Sequence, residues 1–184
     1  MLDKIIALDK QLFVFLNGLG SPTFDGLWLI ITKQAYWTPF FLLVFYLLIK
    51  KIGWKNFFIA VGFIALLILL CDQSANLFKN HFQRLRPCND PQIKDVIRIV
   101  KSSDSFSFYS GHATNSMATT VFIFLIIRKY YKYAILLFLF PLIFAFSRIY
   151  LGLHFPIDIL TGYAFGALYG TLFYKVYQKY FTKN

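Results

Sequence analysis

Glutamate is absent from this sequence, and its acidic residues are eight aspartates facing 19 Lys and Arg, a net charge of +11. Charge of either sign is scarce: 15% of residues carry one, against roughly 25% in an average soluble domain. That shortfall excludes an ordinary water-soluble surface. Cysteine and histidine are almost lacking as well. Cys71 and Cys88, with His81, His112 and His154, match no CxxC or Cys/His ligand spacing, so no zinc site or other metal centre is indicated. Cys71 lies in an apolar run and reads as a small core residue. No repeat, low-complexity tract or separate soluble domain interrupts residues 1–184, which read as one domain. The N-terminal stretch also lacks what a signal peptide needs. Asp9 and Lys10 break its apolar run and no small-residue cleavage site follows, so the segment is expected to be retained.

What the chain has in abundance is apolar surface, with 58% hydrophobic and 21% aromatic residues. Runs free of Asp, Lys and Arg cover 34–49, 56–71, 105–127, 133–147 and 159–174. A helix needs ~20 residues to cross the hydrocarbon core, so the shorter runs require extension by their flanks. The first is expected to extend back through Gly26–Thr32 and the second forward through Gln73–Phe78. Terminal Lys and Arg can snorkel to add length. Residues 3–17 place Ile5, Leu8, Leu12, Phe15 and Leu16 at helical spacing opposite the charges, an interfacial amphipathic helix over 1–20 that Gly18-Leu-Gly-Ser-Pro22 ends. The expected fold is all-α: an integral membrane bundle of five transmembrane helices plus this interfacial helix, with a sixth span as the alternative.

The basic residues sit between apolar runs and form no continuous stripe, which favours a membrane surface and an anionic substrate over nucleic acid. Lys50, Lys51 and Lys55, then Arg128, Lys129 and Lys132, then Lys175, Lys179 and Lys183 fall on one side of a five-span chain. The positive-inside rule makes that side cytoplasmic, with the C-terminus inside and anionic lipids as its partners. The opposite face carries the link 148–156 and a loop, 80–109, expected to form part of a site.

Span parity gathers four sequence-distant polar groups at that outer end: Lys79 with Arg84 and Arg86, Ser110-Gly111-His112, Ser147-Arg148, and His154 with Asp158. These are the parts phosphoryl transfer requires, since catalysis there is largely positioning and stabilisation of anionic oxygens. Lys79, Arg86 and Arg148 are suited to grip a phosphate, Arg with a planar fork and Lys with a point charge. The Ser110 hydroxyl and Gly111 N–H add neutral donors at a helix start. The spacing of His154 and Asp158 on a helix opened by Pro156 brings the carboxylate to one imidazole nitrogen, leaving the other to attack phosphorus. His112, from another span, can protonate the leaving oxygen and then take a proton from water.

In order along the chain, Lys79-x6-Arg86-Pro87, Tyr109-Ser110-Gly111-His112 and Ser147-Arg148-x5-His154-x3-Asp158 resemble the three motifs of the type 2 phosphatidic acid phosphatase family. The resemblance implies metal-independent hydrolysis of a phosphomonoester or pyrophosphate on a membrane lipid, with no cofactor, through a phosphohistidine. It assigns His154 as nucleophile, Asp158 as its orienter, His112 as acid and base, and Lys79, Arg86, Ser110, Gly111 and Arg148 as phosphate binders. It also implies a bacterial inner-membrane protein with its catalytic face outward. Among family-type substrates undecaprenyl pyrophosphate ranks first, then lipid A phosphate, phosphatidylglycerol phosphate and phosphatidic acid. A lipid-linked phosphotransferase or a non-hydrolytic transporter is the alternative, although binding alone needs neither a nucleophile nor its orienter. One departure is Tyr109, where the family pattern usually has Pro, which adds bulk and a donor beside the site.

Other polar residues have plainer readings. His81 is a polar helix terminus, Arg84 a second interfacial cation, and Asp72 a partner for another helix lying ~10 Å below the site. Trp28, Trp37 and Trp54 read as interfacial anchors.

Overall fold

A computed structural model describes residues 2–181; Met1 and residues 182–184, Lys183 of the third basic cluster among them, lie outside the described residues. Among the described residues every regular element is helical. The first helix, α1 (Leu2–Gly18), is the expected amphipathic one, with its faces turned in an informative way. Ile5, Leu8, Leu12 and Phe15 point outward, while Asp9, Phe13 and Asn17, spaced by four, are buried against the rest of the chain. An apolar outer face with polar groups inside is the pattern that a lipid surrounding selects. The Asn17 amide donates to the carbonyls of Arg98, Ile149 and Tyr150 and accepts from the Arg98 N–H.

After a bend of 110° the chain enters α2 (Pro22–Ile31). The first apolar run therefore does not continue backward as one helix. Gly26–Thr32 belongs almost wholly to α2, a 3-10 turn follows at Gln34–Trp37, and α3 (Thr38–Phe82) starts afresh. Pro39 explains the break, because its ring and missing N–H are tolerated only in a first turn. Trp28 and Trp37 also differ from simple anchors. Trp28 stacks on Tyr150, and Trp37 donates to the Ile31 carbonyl and packs on Phe140.

The 45 residues of α3 are two arms, not one rod, because Gly53 adopts φ 73° and ψ 166°, a backbone region open to glycine. The ring centroids of Phe45 and Phe57 are 5.4 Å apart, whereas a continuous helix would separate those positions by about 18 Å along its axis. The arms thus run antiparallel and correspond to the first two apolar runs. By length and apolarity the stretch Gln34–Asn89 has the character of a membrane span, and α4 (Gly111–Ile127) and Ala134–Tyr150 are shorter apolar helices. Asp72, on the second arm, accepts from the Asn115 amide of α4 at 2.7 Å, a helix-to-helix tie.

Gln83, at φ 46°, ends α3, so the loop expected over 80–109 begins at 83. It persists to 110, and the charge-free run 105–127 is helical only from Gly111. The apolar residues of 105–110 serve packing instead: Phe108 meets Phe82, and Tyr109 stacks on Phe165. Ordered contacts pin the loop to the bundle end, including Cys88 N–H to the Gly152 carbonyl and Lys101 N–H to the Leu151 carbonyl. A 3-10 turn at Ala134–Phe138 leads into α5 (Leu139–Tyr150), and α6 (Pro156–Phe181) completes the fold.

The closest packing is between α4 and α6, across Gly162, Gly166 and Gly170. A Cβ on these glycines would lie 2.8, 2.6 and 2.5 Å from the carbonyl oxygens of Ser110, Thr114 and Ala118. Small residues at this spacing let two helix backbones meet where lipid offers no hydrophobic drive to association. The contact fixes the start of α4, with Ser110-Gly111-His112, against the start of α6, with Asp158.

Candidate active site

His154 lies in the short link between α5 and α6, fully enclosed, with its backbone N–H held 3.3 Å from the Arg148 carbonyl. Its Nδ1 is 3.5 Å from Asp158 Oδ2 and its Nε2 is 3.2 Å from Arg86 Nη1. With a carboxylate at Nδ1, the proton belongs on that nitrogen and the lone pair on Nε2. Burial, aided by the charges of Arg86 and Arg148, outweighs the Asp158 hydrogen bond and pushes the His154 pKa down to about 3. A neutral imidazole is the form a nucleophile needs, and its Nε2 lone pair here faces the Arg86 guanidinium.

Asp158 is completely buried and every oxygen is engaged. Oδ2 accepts the Phe155 N–H at 2.9 Å and the Ser107 hydroxyl, and Oδ1 accepts Arg84 Nη1 at 2.7 Å. Its position in the first turn of α6 also suits a negative charge. Its backbone carbonyl accepts the Ser110 N–H, which ties the two helix starts together.

Three cations surround this pair without forming ion pairs among the described residues. Arg86 donates to the Ser105 carbonyl and hydroxyl and to the Leu153 carbonyl, and meets no carboxylate. Arg148 is buried; Nη1 donates to the Thr32 hydroxyl at 2.7 Å and Nε has no partner among the described residues. Lys79 feels the like charges of Arg86 and Arg148. Buried cations stay charged only where an anion is to be accommodated or a partner is at hand. His112 stacks on Phe144 at 5.2 Å, within the electrostatic reach of Arg148, His154, Lys79 and Arg86.

The sequence-predicted residues thus converge on one end of the bundle, though their contacts differ in kind. Ser110 is fully buried and its hydroxyl faces the Ala113 N–H as the cap of α4. Gly111 opens that helix, so its N–H lacks an intrahelical acceptor, and nothing comes closer to a Cβ built there than Ala75 at 3.9 Å. The Tyr109 hydroxyl is committed to Ser74 on α3 at 2.7 Å, so it braces the bundle and is not a donor left over for the site. Sequence reasoning missed Asp9, Thr32 and Ser107, and took Arg84 for an interfacial cation when it is a half-buried bridge between Asp9 and Asp158. The one available signal was that Asp9 and Asn17 share a face of α1.

A helical bundle that gathers at one end two histidines, a buried carboxylate and three cations without ion pairs among the described residues has the parts phosphoryl transfer needs. Residues 56–182 match the PAP2 superfamily, and the chain belongs to that superfamily and is a phosphatase. It is 34% identical over 183 residues to a lipid A 4'-phosphatase of Bacteroides thetaiotaomicron, covering 97% of this chain and 81% of that one. A lipid A 4'-phosphatase of Porphyromonas gingivalis is also 34% identical, over 96% of this chain and 75% of its own length. Among solved structures, the fold resembles the transmembrane PAP2 type phosphatidylglycerolphosphate phosphatase from Bacillus subtilis, with a TM-score of 0.73, 19% identity, and coverage of 96% of this chain and 88% of the other.

Proposed function

We propose that the chain removes phosphate from a membrane lipid through a phosphohistidine on His154. The observation that carries this is the opposed placement of the two imidazole nitrogens, Nδ1 toward Asp158 and Nε2 toward Arg86. In the first step Nε2 forms a bond to phosphorus as the bond to the leaving oxygen breaks, and His112 gives that oxygen a proton. Asp158 offsets the charge gained by the imidazole. In the second step His112 takes a proton from water, the hydroxide oxygen bonds to phosphorus, and the P–N bond breaks to release phosphate and restore the imidazole. Lys79, Arg86, Arg148 and the Gly111 N–H hold the equatorial oxygens throughout.

We rank lipid A phosphate first as substrate, ahead of undecaprenyl pyrophosphate, phosphatidylglycerol phosphate and phosphatidic acid. Support comes from the two relatives named for lipid A 4'-phosphatase activity across nearly this whole chain. A cavity of ≈ 330 Å³ between the α3 arms, α4 and α5, lined by Phe41, Phe45, Ile64, Ile68 and Phe144, adds a berth for acyl chain. One of its walls, Phe144, stacks on His112.

Five spans are the reading most consistent with this arrangement: two arms of α3, then α4, α5 with its preceding turn, and α6, with α1 at the interface. The basic clusters then face the cytoplasm, and the site faces outward from a bacterial inner membrane.

The test is phosphate release by detergent-purified protein from a panel of these lipids with chelator present. Wild type is expected to turn over lipid A fastest, Arg148→Ala to be strongly impaired and His154→Ala to be inactive. Loss of activity to the chelator would overturn the metal-free route, turnover by His154→Ala the nucleophile, and faster release from undecaprenyl pyrophosphate the substrate ranking.

A further inference from the structure

Asp9 stands far from the motif residues in sequence, on α1, yet its carboxylate is fully buried beside them. Oδ2 accepts Arg84 Nη2 at 2.6 Å, and Oδ1 accepts the Ile157 N–H at 2.9 Å. The second contact satisfies one of the orphan donors at the start of α6. Arg84 divides its fork, with Nη2 on Asp9 and Nη1 on Asp158, and its guanidinium lies 4.0 Å over the Phe155 ring. Its orientation is therefore fixed from three sides.

Charge is the informative quantity in this chain of contacts, whose two carboxylates are buried and whose guanidinium is half-buried. Were Arg84 alone beside Asp158, the two would form a neutral pair, and the carboxylate would have little negative potential left for the imidazole. The Asp9 carboxylate cancels the guanidinium, so the three groups together present one net negative charge to His154. That charge is what the imidazole needs as it becomes cationic on forming a bond to phosphorus. At the same time Asp9 and Arg84 hold the first turn of α6, and with it Asp158, against α1.

We infer that Asp9, acting through Arg84, is a positioning residue for the phosphatase reaction, keeping Asp158 oriented and effectively anionic beside His154. The inference rests on the reading of His154 as nucleophile. It assigns α1 a part in catalysis beyond packing, and it makes Arg84 a bridge between two carboxylates and not a ligand of the substrate phosphate.

Asp9→Asn is the informative variant, because the amide oxygen can still accept from Ile157 N–H while the charge is lost. The expected result is a kcat lower by about 10–100-fold, the range seen when an outer partner of a functional side chain is removed, with KM within about twofold of wild type. Adding Arg84→Gln to Asp9→Asn removes the uncancelled cation, and kcat should rise about tenfold above the single variant, a barrier drop of ~1.4 kcal/mol. Unchanged kcat in Asp9→Asn, or no gain in the double variant, overturns the inference. Should Asp9→Asn not fold, Arg84→Lys carries the test. It keeps the charge but not the two-sided fork, and full kcat there overturns the proposal while a tenfold loss at constant KM supports it. His154→Ala is assayed in parallel: if it turns over, the nucleophile reading has failed, and if it is inactive while Asp9→Asn is normal, only this inference has.

Discussion

Gly166 of α6 lies so near Thr114 of α4 that a Cβ on the glycine would stand 2.6 Å from the Thr114 carbonyl oxygen. Backbone cannot yield as a flexible side chain would. Gly166→Ala is expected to lower stability by about 1–3 kcal/mol or more, the usual cost of overpacking, and to reduce kcat by prising apart the helix starts that carry His112 and Asp158. Thermal unfolding in detergent, read beside turnover, checks this; an unchanged melting temperature would show that the helices part without strain.

Among the described residues, Thr32 is the one side chain that hydrogen-bonds Arg148, at 2.7 Å. Thr32→Val keeps the shape and removes the hydroxyl, leaving a buried guanidinium less well fixed. The expected outcome is a kcat/KM lower by about tenfold, with weaker competitive inhibition by inorganic phosphate. Equal inhibition constants for the variant and wild type would show that Thr32 does not orient the cation.

The His154 pKa of about 3 has consequences of definite sign. In the folded protein the imidazole is neutral throughout the working range, so an acid limb in kcat/KM between about pH 5 and 7 is not His154 gaining a proton. In the unfolded chain the same group titrates near about 6.5. Between these values the unfolded state holds more protons, so this residue's contribution to stability is present above the unfolded pKa and fades as pH falls from there toward 3. His154→Gln should therefore lose less melting temperature than wild type on going from about pH 7.5 to 4.5. A larger loss in the variant would reverse the sign assigned here.

Cys88 is 7% exposed, so the native thiols are poor reporters of sidedness. Val96, 69% exposed in the loop between α3 and α4, is a better position. In a Cys88→Ser background, Val96→Cys is expected to react with a membrane-impermeant thiol reagent in intact cells. Reaction only after permeabilisation would invert the proposed orientation.

Legibility in the sequence followed the range of the interaction. His154 and Asp158 were readable because four residues on a helix start bring side chains together, and their meeting with Lys79, His112 and Arg148 followed from counting apolar runs. The Arg84 bridge was not, since it joins residues 75 and 74 positions apart and leaves no periodic trace in the hydropathy pattern. Absence of charge misled at 105–110, where ring packing in a loop, and not a helix, buries Tyr109 and partly covers Phe108. Gly162, Gly166 and Gly170 were visible, but their meaning depends on the carbonyls opposite, which only the fold supplies. Pro39 marked a helix boundary that the apolar run concealed.

Lys79, Arg86 and Arg148 have a second consequence, for the end of the catalytic cycle. A cluster of cations unbalanced by carboxylates draws in any compact dianion, and inorganic phosphate, the product, is one. On the proposed mechanism its departure runs against the same attraction that recruits the lipid, so turnover is expected to slow as phosphate accumulates.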